Sequence, residues 1–180
     1  MTDLTAKYRE ALYHCDLATA RAELVSASAE DAKMRLCYPF ETMDGPAAFF
    51  DTALVPLSQA IPDLERRDTI HAQGTCQNGH VWVGLCGYYT GTFLHPFLDI
   101  PPTGRMAHMR FHEFYRVEAG KIVEMQAIWD IPELMMQAGA WPMAPSLGRE
   151  WLAPAPATQD GLNRSASTSD QNAANCQVVI

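Results

Sequence analysis

The chain has 180 residues, 48% of them apolar, and a formal net charge of −8. That length supports one domain with a real core plus a tail. The acidity argues against nucleic acid and anionic membrane surfaces as partners, because both select basic patches.

In chain order, Leu4, Tyr8, Ala11 and Leu12 share one helical face, which predicts an amphipathic helix over residues 3–14. Asp16 is placed to cap a second helix from Leu17 to Leu24. Lys33 to Tyr38 alternates as a short strand that Pro39 ends. Asp44-Gly45-Pro46 is a helix start, followed by a buried stripe of Phe49, Phe50, Ala53, Leu54, Leu57 and Ile61. Pro56 should kink that helix or end it early.

After Pro62 the chain turns β. Leu64 to Ala72 and His80 to Thr92 read as strands, the second with Gly84 and Gly87 as marks of bulges or curvature. His95 to Thr103 is a Pro-rich loop. Arg105 to Val117 and Lys121 to Asp130 form a hairpin, and Pro132 to Ala138 a final short helix. Helices first and then a run of antiparallel strands is an α+β order. The expected architecture is a curved antiparallel sheet over about three N-terminal helices, enclosing a pocket. From about Ala153 the composition is rich in Ala, Pro, Ser and Asn. Residues 1–150 are therefore read as the domain and 151–180 as a disordered tail.

No apolar run of signal-peptide type opens the chain, and no stretch approaches the roughly 20 apolar residues of a membrane helix. The expected location is the cytoplasm, with no membrane partner. Five cysteines, Cys15, Cys37, Cys76, Cys86 and Cys176, form an odd set without C-x-x-C. They read as reduced thiols, with Cys37 and Cys86 as small buried hydrophobes.

The hairpin carries the candidate chemistry. Val117-Glu118-Ala119-Gly120-Lys121 fits a three-residue loop with Gly120 left-handed. That register sets His112 opposite Gln126, Arg110 opposite Ile128 and His108 opposite Asp130, on one face. Cross-strand Cβ atoms are about 5 Å apart, so Asp130 and His108 can form an acid–base pair. In an apolar cavity, Asp130 would be the base, and His108, His112 or the hydroxyl of Tyr88 or Tyr89 the oxyanion donor. Trp82, Tyr88, Phe93, Arg110, Gln126 and Trp129 are candidate ligand contacts. Plainer readings stand beside these. Asp130 precedes Ile131-Pro132 and suits a helix cap, the histidines suit an outer face, and the aromatics suit the core. Glu113 and Glu124 face opposite sides in this register, which points to solvated or ion-paired roles. On a strand, His108 and His112 are about 13 Å apart, too far to share one ion, so no metal site is expected unless His80 or His95 converges on one of them.

GTFLHPFLDIPPTGR, HEFYRVEAGKIVEMQAIWD and LMMQAG together resemble the SnoaL-like polyketide cyclase family, within the nuclear transport factor 2-like superfamily. The resemblance covers about residues 5–142. It implies a cone-shaped α+β barrel with a deep apolar pocket. It also implies acid/base chemistry without a cofactor, of cyclase or isomerase type, on a small hydrophobic carbonyl compound. Such cyclases often carry His and Asp inside the last strand, where this chain has Met125 and Ala127. Some relatives carry a second similar domain after this point, and a homodimer is expected to fill its place. A binding protein without catalysis, and a dimerisation or interaction module, are the alternatives on the same fold.

Overall fold

The structure, a computed structural model, describes residues 3–144. Helices α1 (Ala6–Tyr13) and α2 (Leu17–Ala27) come first, with Asp16 accepting the Thr19 N–H at 3.0 Å as the α2 cap. Strand β1 (Ser28–Leu36) begins well before the predicted Lys33, and a short β2 (Thr42–Asp44) was not anticipated. Gly45, at φ 88°, then hands over to Pro46 at the start of α3 (Pro46–Phe49).

Pro56 does not end the helix. The chain widens into a π-helical turn, Phe50–Leu54, and continues as α4 (Val55–Ala60). Proline has no N–H to donate to the preceding turn, so a wider turn just before it loses less than a regular one. The buried stripe is as predicted, with Phe49, Phe50, Ala53, Leu54, Leu57 and Ile61 all in the core.

Strands β3 (Glu65–Thr75), β4 (Val81–Thr92), β5 (Met106–Glu118) and β6 (Lys121–Trp129) complete one curved six-stranded sheet, and α5 (Ile131–Gln137) follows. The strand order is β2-β1-β6-β5-β4-β3. Its one departure from the expected antiparallel run is β1, which pairs parallel with β6. The chain is therefore α+β, an open cone whose concave face packs on the helices. From β4, β5 and β6 that inward face presents Leu85, Tyr89, Met109, Phe111, Glu113, Tyr115, Met125, Ala127 and Trp129.

At Gly87 on β4 a side chain would run into the backbone of β3. A Cβ there would lie 2.0 Å from the Arg67 carbonyl oxygen, beside the β3 bulge between Asp68 and Ile70. The predicted irregularity at this glycine is real, but the extra residue sits on the partner strand. Among the described residues, no helix is long and apolar enough to cross a membrane. The expected disordered segment 151–180 lies outside the described residues.

Candidate active site

The centre of the cone is polar. Glu113 projects inward from β5 with no solvent exposure, between Phe111 and Tyr115. Its Oε2 accepts from Arg66 Nη1 at 2.7 Å and from the Tyr115 hydroxyl at 2.6 Å. Its Oε1 accepts from the Tyr89 hydroxyl at 3.0 Å and from Trp129 Nε1 at 3.1 Å. Four donors thus occupy the roughly four acceptor positions of a carboxylate.

Arg66 reaches in from β3, also fully buried. Its Nη1 donates to Tyr89 Oη at 2.9 Å, its Nε to Asp68 at 3.0 Å, and its guanidinium carbon sits 4.0 Å from the centre of the Phe111 ring. Asp68 takes a second cation, Arg9 at 3.0 Å, and Arg9 reaches on to Asp3 at 2.6 Å. A chain of alternating charge therefore runs from Asp3 near the surface to Glu113 at the centre.

Burial pushes the Tyr8, Tyr89 and Tyr115 hydroxyls well up from the ordinary range, and the Glu113 carboxylate adds to the push. All three remain neutral donors. Burial alone would lower Arg66, but Glu113, Tyr89 and Asp68 outweigh it and hold the cation firmly. Two donors in this cluster remain unpartnered among the described residues. Arg66 Nη2 makes no hydrogen bond, and the buried Tyr8 hydroxyl lies toward Tyr89 without closing one. A fixed cation and neutral phenols inside an apolar shell are suited to polarising a carbonyl oxygen and holding the charge that develops on it.

The predicted hairpin register is displaced by two residues. Ala119 and Gly120, at φ 47° and 75°, form a two-residue turn that pairs Glu118 with Lys121. An irregularity past Arg116 then skips Val123, so His112 faces Ile128 and Phe114 faces Gln126. The Asp130 N–H donates to the Arg110 carbonyl, not to His108. Each step moves the register by one residue, and together they restore the face assignments because side chains alternate with period two.

The face that carries His108, Arg110, His112, Gln126 and Ile128 is the outward one. Ile128 is 64% exposed, and Gln126 and His112 line a groove on that side. Asp130 caps α5, its Oδ1 accepting the Glu133 N–H at 3.1 Å. His108 meets Glu133 at 3.2 Å in place of Asp130. Tyr88 packs edge-on against His108 and under Arg110, and Trp82 is half-buried on the same side of β4. Of the named residues, Tyr89, Phe93 and Trp129 lie in the core, and Tyr89 and Trp129 touch Glu113.

Sequence reasoning passed over Arg66, Glu113, Tyr8 and Tyr115 as a set. The signal was present in M-R-F-H-E-F-Y, where Glu113 occupies the apolar phase of the alternation between Phe111 and Tyr115. A carboxylate at such a position must be paired inside the core. Among the described residues, no group of three or more His, Cys, Asp or Glu side chains converges as a metal ion would require.

The profile of the SnoaL-like polyketide cyclases matches residues 2–138. The chain belongs to the SnoaL-like polyketide cyclase family. No curated protein matches it. Its fold is similar to that of IdmH from Streptomyces antibioticus, a candidate polyketide cyclase, at 26% identity and a TM-score of 0.60, with 76% of this chain and 96% of that one covered. AclR from Streptomyces galilaeus, a candidate hydroxylase, gives 0.62 at 19% identity over 80% and 87%. A SnoaL-like polyketide cyclase from Agrobacterium tumefaciens gives 0.56 at 24% over 76% and 98%. Within this SnoaL-like chain, Glu113 stands directly across the hairpin from Ala127.

Proposed function

We propose that the chain is a cofactor-independent enzyme of cyclase or isomerase type. Its substrate is a small hydrophobic carbonyl compound bound against the Arg66–Glu113–tyrosine centre. The observation that carries this reading is Glu113, fully buried on the inward face and opposite Ala127. Cross-strand partners have Cβ atoms about 5 Å apart, so a carboxylate on β5 serves the same space as one on β6.

In this reading the substrate oxygen accepts from the two unpartnered donors, Tyr8 Oη and Arg66 Nη2. Glu113 takes the proton from the adjacent carbon as one of its four donors yields. The Tyr8 phenol and the Arg66 cation then hold the enolate oxygen. Asp130, His108 and His112 are assigned to the outer side of the sheet, where the pair suited to proton exchange is His108–Glu133.

The second reading is a small-molecule binding protein. It is favoured by one observation: Glu113 has no acceptor position left while its four donors stay in place.

The test is α-carbon deuterium exchange, followed by NMR, over a panel of hydrophobic 1,3-dicarbonyl compounds. The wild-type chain should accelerate exchange of at least one. Glu113→Gln should lose about 100-fold or more, as removal of a general base does. Tyr8→Phe should lose about 100-fold while staying folded, as loss of an oxyanion donor does. Exchange that Tyr8→Phe leaves unchanged removes the donor role. A panel that raises the melting temperature without any exchange transfers the site to the binding reading.

A further inference from the structure

The outer face of the sheet holds a second arrangement, independent of the cone interior. Cys86 on β4 and His112 on β5 are direct cross-strand partners, with Sγ 3.1 Å from Nδ1. That is close enough for the thiol to donate to the ring nitrogen. Cys86 is half-buried and His112 exposed. His112 also lines a groove of about 450 Å³, whose walls include Leu36, Cys37, Ile128 and Phe114, with the Arg35 guanidinium and the Gln126 amide as polar groups; the Cys37 thiol is already engaged with the Trp129 carbonyl at 3.4 Å. The Phe114 ring lies over Gly84, where a Cβ would be 3.0 Å from it.

We propose that Cys86 is a nucleophilic thiol activated by His112, and that the groove beside them takes a small apolar carbon electrophile of the conjugated enone class. In the reaction, Sγ attacks the β-carbon of the enone and the new S–C bond forms. The C=C π pair moves toward the carbonyl. The thiol proton passes to His112 Nδ1, and the imidazolium returns it to the α-carbon. No oxidant or further reactant is consumed, and the product is a thioether at Cys86.

The environment explains why the histidine is needed. Burial pushes the Cys86 thiol up, and the carboxylates of Glu113, through the sheet, and Asp68 on β3 add to this, while Arg66 opposes it. The sulfur is therefore protonated at neutral pH, unlike the preformed thiolates of cationic sites. Attack then depends on a base that removes the proton during the reaction. Exposure alone would give the opposite order of reactivity. Among the described residues Cys15 and Cys76 are the exposed thiols, and the Cys76 thiol is engaged with Asn78 and the His80 carbonyl.

The test is alkylation of the full chain with N-ethylmaleimide at neutral pH, mapped by peptide mass spectrometry. Cys86 should be modified ahead of the more exposed Cys15 and Cys76. His112→Ala should slow Cys86 about tenfold or more, leave Cys15 and Cys76 unchanged, and be rescued by added imidazole. The Cys86 reaction should also slow in heavy water, since a proton moves in the rate-limiting step. Because His112 is exposed, the variant should melt where the wild type does, which separates lost activation from lost folding. Cys86 lagging behind Cys76, or a Cys86 rate that His112→Ala leaves intact, would overturn the proposal.

Discussion

At the scale of single residues, Glu113 and Tyr8 make a contrasting pair. Glu113 anchors four donors, one of them a buried guanidinium. Glu113→Gln keeps the volume but strands the Arg66 charge, and breaking a buried pair from one side typically costs about 3–5 kcal/mol. Urea denaturation should show that loss. Tyr8→Phe removes a buried hydroxyl that makes no hydrogen bond, so its stability should stay within about 1 kcal/mol of wild type. A large loss there would mean that the Tyr8 hydroxyl has a structural partner in solution. Gly87 belongs to the same scale. Gly87→Ala puts a methyl against the Arg67 carbonyl, where backbone must yield, and should cost about 1–3 kcal/mol or more by the same assay.

At the scale of elements, α5 finishes the sheet without being a strand. Beyond Phe111, β5 runs past the end of β6 and leaves backbone groups without a strand partner. Side chains of α5 take over. Glu133 Oε2 accepts the Arg110 N–H at 3.1 Å, while Gln137 accepts the His108 N–H at 3.0 Å and donates to the His108 carbonyl at 2.6 Å. Residues 133 and 137 are one helical turn apart, so they follow one edge. Asp130 sets the helix start that makes this spacing work. Gln137→Ala should cost about 1–3 kcal/mol, because it leaves two backbone groups unsatisfied at once. Amide hydrogen exchange at His108 should rise with it, and an unchanged His108 amide would mean that the pairing is not maintained in solution.

At the scale of the whole molecule, the cone is held around a charged centre, and pH reports on it. Tyr8, Tyr89 and Tyr115 have folded-state pKa values raised above the ordinary 10.0. Their contribution is therefore fully present below pH 10 and is lost as pH rises through and above that value, where the unfolded chain releases these protons first. Alkaline unfolding should begin above about pH 10, and the tyrosinate absorbance of these three should appear together with loss of ellipticity, not before it. Ionisation of all six tyrosines ahead of unfolding would show that the centre is wetter than the structure indicates.

The sequence by itself determined the order of elements apart from the short β2, the Asp16 cap, the Gly45-Pro46 helix start, the buried stripe that runs from Phe49 to Ile61, and the two faces of the hairpin. Each is a local or period-two property, legible from a few neighbouring residues. Tertiary structure alone decided which hairpin face looks inward. Alternation assigns faces, but only packing on α1 to α4 chooses between them. It also decided that β1 lies parallel beside β6, a pairing across some ninety residues that no local pattern encodes. The candidate site follows the same division. Glu113 and Arg66 lie 47 residues apart and meet only because β4 lies between their strands. Asp130 and His108 were separated by a two-residue turn and one skipped residue, features too small for composition or periodicity to reveal.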